Sequence, residues 1–339
     1  MKYPRFPQPG DTLGFAAPAF GCTTEPYHTA FLNALKTFSS LGYDAKLGPN
    51  VFCDCGIGIS NTPALCAAEL TDLYCDSGCA AVLSCGGGEM MCEILPHLDW
   101  DRLRAAAPRW FMGYSDNTNF TFLLNTILDT ASIYGPCAGE FGMEPWHPAV
   151  RDAFDLLTGS LTEVHQYGMW EKEGLKDETD PLASYNLTEP LRIRRFPEED
   201  TVFSGRLLGG CIDCLVNLPG TPWDRVRDFN ARYAADGVIW FLEACDLNTM
   251  ALRRAMWQLR QAGWFDTARG FLVGRPLTAG EMFGTDQYAA VLDLVGDLGV
   301  PVLMDIDLGH LPPKMPILSG AMAQVTSGPN TVSIRYSLT

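Results

Sequence analysis

The chain has 339 residues, 47% of them hydrophobic, and carries a formal net charge of −16. That length allows roughly two domains, and the apolar share suffices for a sizeable core. The negative charge argues against a nucleic-acid backbone or an anionic membrane as the main partner, because both require a positive footprint.

A net charge does not constrain a local pocket, so a small anionic substrate stays open. No apolar run approaches the roughly 20 residues of a membrane-spanning helix, and Met1–Pro7 lacks an apolar signal segment. A cytoplasmic protein with no membrane partner is therefore expected. Twelve cysteines would suit disulfides in a small secreted chain, which this is not. Cys211 and Cys214 form one C-x-x-C, and Cys53 and Cys55 one C-x-C. Neither has a second pair or histidines at ligand spacing, so reduced thiols and no metal are expected.

In chain order, residues 1–150 alternate strand and helix signals. Thr12–Ala17 reads as a strand ending at Pro18. Residues 25–41 place Phe31, Leu35 and Phe38 at helical spacing, stopped by Gly42. Ala80–Ser84 is a short apolar strand running into Gly86-Gly87-Gly88, and residues 89–95 look helical. Trp110–Gly113 is a strand leading through Tyr114-Ser115-Asp116 into a helix with Phe120, Leu123 and Leu124, and Ser132–Tyr134 is another strand. This alternation predicts an α/β domain with a doubly wound parallel sheet. Ligands in such sheets bind beyond the carboxyl ends of the strands, where the glycine run and Ser115 both fall.

Residues 151–200 are expected to be an irregular connection, rich in Glu, Asp, Lys and Pro beyond 160, with Trp170 and Tyr185 in it. Residues 201–339 resume an α/β pattern. Strand signals lie at Gly205–Gly210, Val238–Leu242, Phe271–Val273 and Val302–Met304, and helices at 248–262 and 287–297. A closing strand pair is expected at Ala323–Thr326 and Val332–Tyr336.

Three residues carry the candidate chemistry. A strand feeding a helix through a tight turn exposes the turn residue, and a serine there is a usable nucleophile. In Gly113-Tyr114-Ser115-Asp116-Asn117 the second glycine of the usual pattern is replaced by Asn117, and Ser115 could equally cap the following helix. A serine nucleophile needs a base. Among His28, His97, His147, His165 and His310, only His310 sits in a shaped loop, between Gly309 and Pro312-Pro313. The base needs an orienting carboxylate, and Glu243 ends the apolar run 238–242, where an unpaired charge would be costly; it could instead partner the helix start at 246–249. Gly87, Gly88 and the backbone at Asp116 are candidate oxyanion donors. The glycine run could also be a phosphate-binding turn, although it lacks the dinucleotide spacing.

With these residues in place the chain resembles the LD-carboxypeptidases, including their microcin C self-immunity branch. The resemblance runs in order through Pro9–Gly14 with Ala17-Pro18, Gly87-Gly88, Gly113–Thr118, Tyr134–Pro136 and Gly205–Gly210. It continues through Gly220–Trp223, Phe241–Glu243, Gly274–Pro276 and Gly309-His310. It implies a serine peptidase with the nucleophile on an N-terminal domain and the glutamate and histidine on a C-terminal one, the site lying between them. It further implies no cofactor, a homodimer, and a small peptide or peptidyl-nucleotide substrate. The roles fall on Ser115, Glu243 and His310. Within the microcin branch the resemblance also puts Trp170 and Glu281 at the substrate. Cys85, Cys66 and Ala19 depart from frequent family residues and leave substrate preference open. The competing readings are a Cys85 amidotransferase-like hydrolase and a non-catalytic binding protein for a small acidic ligand.

Overall fold

The computed structural model describes residues 1–338. Its strands, in chain order, are β1 (Thr12–Ala16), β2 (Asp44–Leu47), β3 (Cys79–Ser84), β4 (Trp110–Gly113), β5 (Ser132–Tyr134), β6 (Glu163–His165), β7 (Met169–Trp170) and β8 (Glu189–Pro190). There follow β9 (Arg194–Phe196), β10 (Thr201–Cys211), β11 (Val238–Glu243), β12 (Ala268–Gly274), β13 (Val302–Ile306), β14 (Ile317–Ser319), β15 (Met322–Gly328) and β16 (Thr331–Ser337). They build two main sheets, ordered β14-β5-β4-β3-β1-β2 and β6-β16-β15-β10-β11-β12-β13-β9, plus the β7-β8 pair. Strands β1 to β5 run parallel in the first sheet, and β10 to β13 in the second.

The inner parallel strands are mostly apolar because both of their faces are covered; β3 (CAAVLS) and β11 (VIWFLE) are buried at every position, whereas the edge strand β2 (DAKL) is exposed throughout. The two-domain α/β architecture is as expected. One exchange was not foreseen: β14, late in the chain, crosses back and pairs antiparallel with β5 in the first sheet.

The connection is less irregular than its composition implies. A helix at Pro148–Leu157 is capped by His147, whose Nδ1 accepts from the Ala149 N–H. β6 pairs with β16 and β9 with β13, so both edges of the second sheet are finished by segments of the connection. Such edge additions cover otherwise unpaired backbone groups, but runs of two or three residues show no period-2 pattern to read. The helix at Pro63–Cys75 and strand β2 were likewise not anticipated.

The Thr118–Thr126 helix, which follows Ser115, joins the two sheets. All nine residues are buried, polar ones included. A helix buried all round must satisfy its polar groups internally. Asn125 Nδ2 donates to Thr130 O at 2.8 Å and Ser319 O at 3.3 Å, while the Ser319 hydroxyl donates to Asn125 Oδ1 at 2.5 Å. Thr118 Oγ1 accepts from the Cys211 N–H at the end of β10. The helix therefore bonds to segments nearly two hundred residues away. Replacing Asn125 by Ala strands these groups, at a cost of about 1–3 kcal/mol. A thermal melt of Asn125→Ala is expected to show a clearly lower midpoint; an unchanged midpoint would contradict this account of the seam.

Candidate active site

Ser115 follows β4 at the carboxyl edge of the first sheet, with φ at +62°. A non-glycine residue in this left-handed region is strained and persists only when its surroundings fix it. The fixing groups are visible. A Cβ on Gly113 would lie 2.8 Å from the Asn117 side chain, so a side chain there would collide with the turn. Asn117 Nδ2 donates to Gly86 O at 2.8 Å and Tyr114 O at 3.0 Å, tying the turn to the glycine loop. A glycine at 117 could not make those bonds, which accounts for the departure from the usual pattern. The Ser115 N–H donates to Tyr134 Oη at 3.1 Å.

The Ser115 hydroxyl does not cap a helix. It lies 2.9 Å from His310 Nε2, and His310 Nδ1 lies 2.9 Å from Glu243 Oε2. Glu243, 1% exposed, also accepts from Tyr134 Oη through Oε1 at 2.6 Å. The helix-start alternative for Glu243 is excluded by its neighbours. Asn248 caps that helix through the Ala251 N–H, and Asp213 accepts from the N–H groups of Cys245, Asp246 and Leu247. His310 approaches because Gly309 adopts φ +94°, where a Cβ would lie 2.7 Å from Glu243 Oε2. The structure thus brings together three groups from 115, 243 and 310, and adds Tyr134. Tyr134 sits at the end of β5, in register with Gly113 of β4. A polar residue closing the strand beside the nucleophile strand was the available signal for it.

Electrostatics follow from burial and pairing. Burial disfavours the His310 cation, but the Glu243 charge and the surrounding hydrogen bonds outweigh it and lift the imidazole to about 10. Burial likewise opposes the Glu243 charge, yet His310 and the Tyr134 hydroxyl hold its carboxyl below the usual range. Burial pushes the Asp116 carboxyl up to about 6. That carboxylate accepts from the Met91 N–H and Asn119 Nδ2, so any role of Asp116 toward an oxyanion rests on its backbone. Gly87 lies against Ser115: a Cβ built on it would stand 3.3 Å from Ser115 Oγ. Gly88, one residue on, packs against Ala19 and Gly58 O.

Three cavities are lined by Ser115 or by residues next to Ser115 and His310 in the chain, Tyr114 and Leu311 among them. One of about 280 Å³ adjoins Gly87 and Tyr114 and contains Lys176, Lys314, Glu140 and Glu171. A second, of about 440 Å³, holds Trp170, Arg192, Arg194 and Arg275, with Arg275 stacked over Trp170 at 5.0 Å. The third, about 100 Å³, includes Ser115 itself. Glu281 is exposed and lines none of them. Cys85 is buried, and burial with its neighbour Cys22 pushes its thiol well up, so it is not held as a thiolate. Among the described residues no group of three or more His, Cys, Asp or Glu side chains is placed to hold a metal ion, and no helix is long and apolar enough to cross a membrane.

A serine on a strained strand-to-helix turn, bonded to a histidine and then a buried carboxylate, is the arrangement of the serine hydrolases. Residues 13–135 match the LD-carboxypeptidase N-terminal domain and residues 204–325 its C-terminal domain. The chain belongs to the LD-carboxypeptidase family and is a serine-type carboxypeptidase. Its relatives include SCO6489 of Streptomyces coelicolor, provisionally named a carboxypeptidase, 27% identical over 96% of this chain and 94% of that protein. The microcin C7 self-immunity protein MccF of Escherichia coli is 23% identical over 96% and 93%. A solved MccF-like protein from Bacillus anthracis shares the fold with a TM-score of 0.81 at 19% identity, over 99% of this chain and 100% of that one.

The raised His310 pKa has a definite sign. The folded chain favours the protonated ring, so the pairing stabilises fully below pH 6.5, weakens as pH rises, and is lost above about 10. Glu243→Gln removes the charge responsible. An NMR titration is expected to show the His310 ring titrating well above 6.5 in the native chain and markedly lower in Glu243→Gln. Coincident titrations would contradict the pairing.

Proposed function

We propose that Ser115, His310 and Glu243 act as a catalytic triad that hydrolyses an amide bond beside a free carboxylate. The observation carrying this reading is the unbroken relay of 2.9 Å contacts from Ser115 Oγ through both His310 nitrogens to Glu243. With the His310 ring in its neutral form, Ser115 Oγ attacks the carbonyl carbon while its proton passes to His310 Nε2. The tetrahedral oxyanion is held by backbone N–H groups at Gly87 and Asp116, with Gly88 shaping the loop. The intermediate collapses as His310 returns the proton to the leaving amine, and water then hydrolyses the acyl-enzyme by the same route. Glu243 keeps the ring oriented and offsets its positive charge, and Tyr134 fixes Glu243 against the turn.

The Lys176 and Lys314 ammonium groups beside Gly87 suit the carboxylate of the leaving residue. The Trp170 and Arg275 cavity suits a flat or anionic group further out. Two substrate classes fit, a murein-type peptide with an L–D bond and a microcin-type peptidyl-nucleotide. Relatives carry both descriptions: a murein tetrapeptide carboxypeptidase of Pseudomonas aeruginosa is 28% identical over 54% of this chain, and MccF has been solved with aspartyl sulfamoyl adenosine. The domains we assign are 1–150 and 201–339, with 151–200 as connection and β14 exchanged between them. All twelve cysteines are unpaired, which suits a reducing cytoplasm; we assign a cytoplasmic homodimer on the family resemblance.

Ser115→Ala is expected to fold normally and to lose more than about a thousandfold in kcat/KM on a panel holding both substrate classes. Activity within about tenfold of the native chain would overturn the assignment of Ser115.

A further inference from the structure

The C-x-x-C of Cys211 and Cys214 has no part in the acyl-transfer steps, yet it sits directly behind Ser115 and Glu243. Cys211 ends β10, in register with Glu243 on β11. It is also the N-cap of the short helix Ile212–Leu215, in which Cys214 is the third residue. The N-cap and third-position residues of a helix face one another, as they do in a capping box. The two sulfurs accordingly meet: Cys211 is a hydrogen-bond partner of both Cys214 and the Glu243 carboxylate. Cys214 Sγ in turn lies 3.7 Å from Ser115 O and 3.8 Å from Asp116 Oδ1. One pair of thiols thus touches both the Ser115 turn and the buried carboxylate that orients His310.

The cavity of about 100 Å³ beside Ser115 reaches the pair. Cys211 and Cys214 line it together with the carboxylates of Glu89, Asp116, Asp213 and Asp246, and no lysine or arginine does. That volume and charge admit a small neutral molecule and turn away a bulky anionic one such as oxidised glutathione. The hydrogen bond from Cys211 favours a Cys214 thiolate, but burial and the charges of Asp116, Glu243 and Asp213 outweigh it and lift the thiol to about 11. The pair therefore rests as two thiols at neutral pH and closes slowly, under sustained oxidant.

We propose that Cys211 and Cys214 are a peroxide-sensitive dithiol whose closure to a disulfide switches off Ser115. The effect on activity rests on the peptidase reading above; formation of the disulfide does not. Cys214 Sγ attacks one oxygen of hydrogen peroxide, the O–O bond breaks, and water leaves a sulfenic acid behind. Cys211 Sγ then attacks that sulfur, the S–S bond forms, and the sulfenic hydroxyl departs as a second water with the Cys211 proton. Two thiols are oxidised by two electrons, and one peroxide is reduced to two waters. Glu243 loses the Cys211 thiol as a donor, which disturbs its pairing with His310, and the Ser115 turn loses its contact with the Cys214 thiol.

The test reads the bond and the activity separately. The native chain is reduced, treated with hydrogen peroxide or with oxidised glutathione, alkylated, and mapped by peptide mass spectrometry. Fluorophosphonate labelling of Ser115 and turnover of an N-acetylated dipeptide ending in D-alanine are followed on the same samples. Peroxide is expected to join Cys211 to Cys214. Labelling and turnover should then fall about tenfold or more, the order expected when a charged group loses a hydrogen bond, and return with dithiothreitol. Oxidised glutathione should produce neither change over the same time. Cys211→Ser and Cys214→Ser, each compared with its own reduced form, should lose the reversible fall. No disulfide, a disulfide through Cys92 or Cys245 instead, a Cys211–Cys214 bond with activity unchanged, or a reversible fall that survives in both variants would each overturn the switch. A reduced native chain that neither labels nor turns over would count against the peptidase reading, while the disulfide map still decides whether the dithiol closes.

Discussion

The structure depends on one buried charge. Glu243 stands at the end of a fully apolar strand, and burying a carboxylate there would be prohibitive without partners. Its partners come from distant parts of the chain: Tyr134 from the first sheet and His310 from the loop after the last parallel strand of the second. Docking of the two sheets and assembly of the site are therefore the same event. Removing one member of such a buried pair typically costs about 3–5 kcal/mol, which ties stability and chemistry to the same residues.

The second constraint is the strained turn at Ser115. Its left-handed backbone is held by the all-buried helix behind it, by Asn117 reaching to the glycine loop, and by Tyr134 receiving the serine N–H. Because that N–H goes to Tyr134, it is not the one to serve an oxyanion. This directs attention to the neighbouring backbone at Gly87 and Asp116. Strain at Ser115 is thus offset by a network that also holds Glu243 and, through it, His310, so a substitution at Tyr134 or Asn117 would disturb the proposed triad from behind.

Much of this was legible in the sequence, for identifiable reasons. The strands β4 and β11 are continuous apolar runs, and the chemistry sits at their ends, so Ser115 and Glu243 could be singled out. His310 was distinguished by its setting between Gly309 and two prolines. Illegible were the features that depend on distance. Strand β14 is three residues long, two of them apolar, and its partner lies more than 180 residues earlier. Strands β6 and β9 are too short to show alternation within an acidic, proline-rich stretch. Tyr134 was visible as part of a motif, but its bridging role arises only once β5 aligns with β4. The distribution of charge among the cavities was also hidden, because Glu89, Asp116, Asp213 and Asp246 meet only across the seam.

Activation of Ser115 by His310 and Glu243 is open to a direct chemical test. A sulfonyl fluoride or fluorophosphonate reacts with an activated serine, and the adduct can be located by mass spectrometry of peptides from the native chain and from His310→Ala. A single adduct is expected on the peptide containing Ser115, strongly reduced when His310 is removed. An adduct on Cys85, no adduct at all, or labelling of Ser115 indifferent to His310 would contradict it.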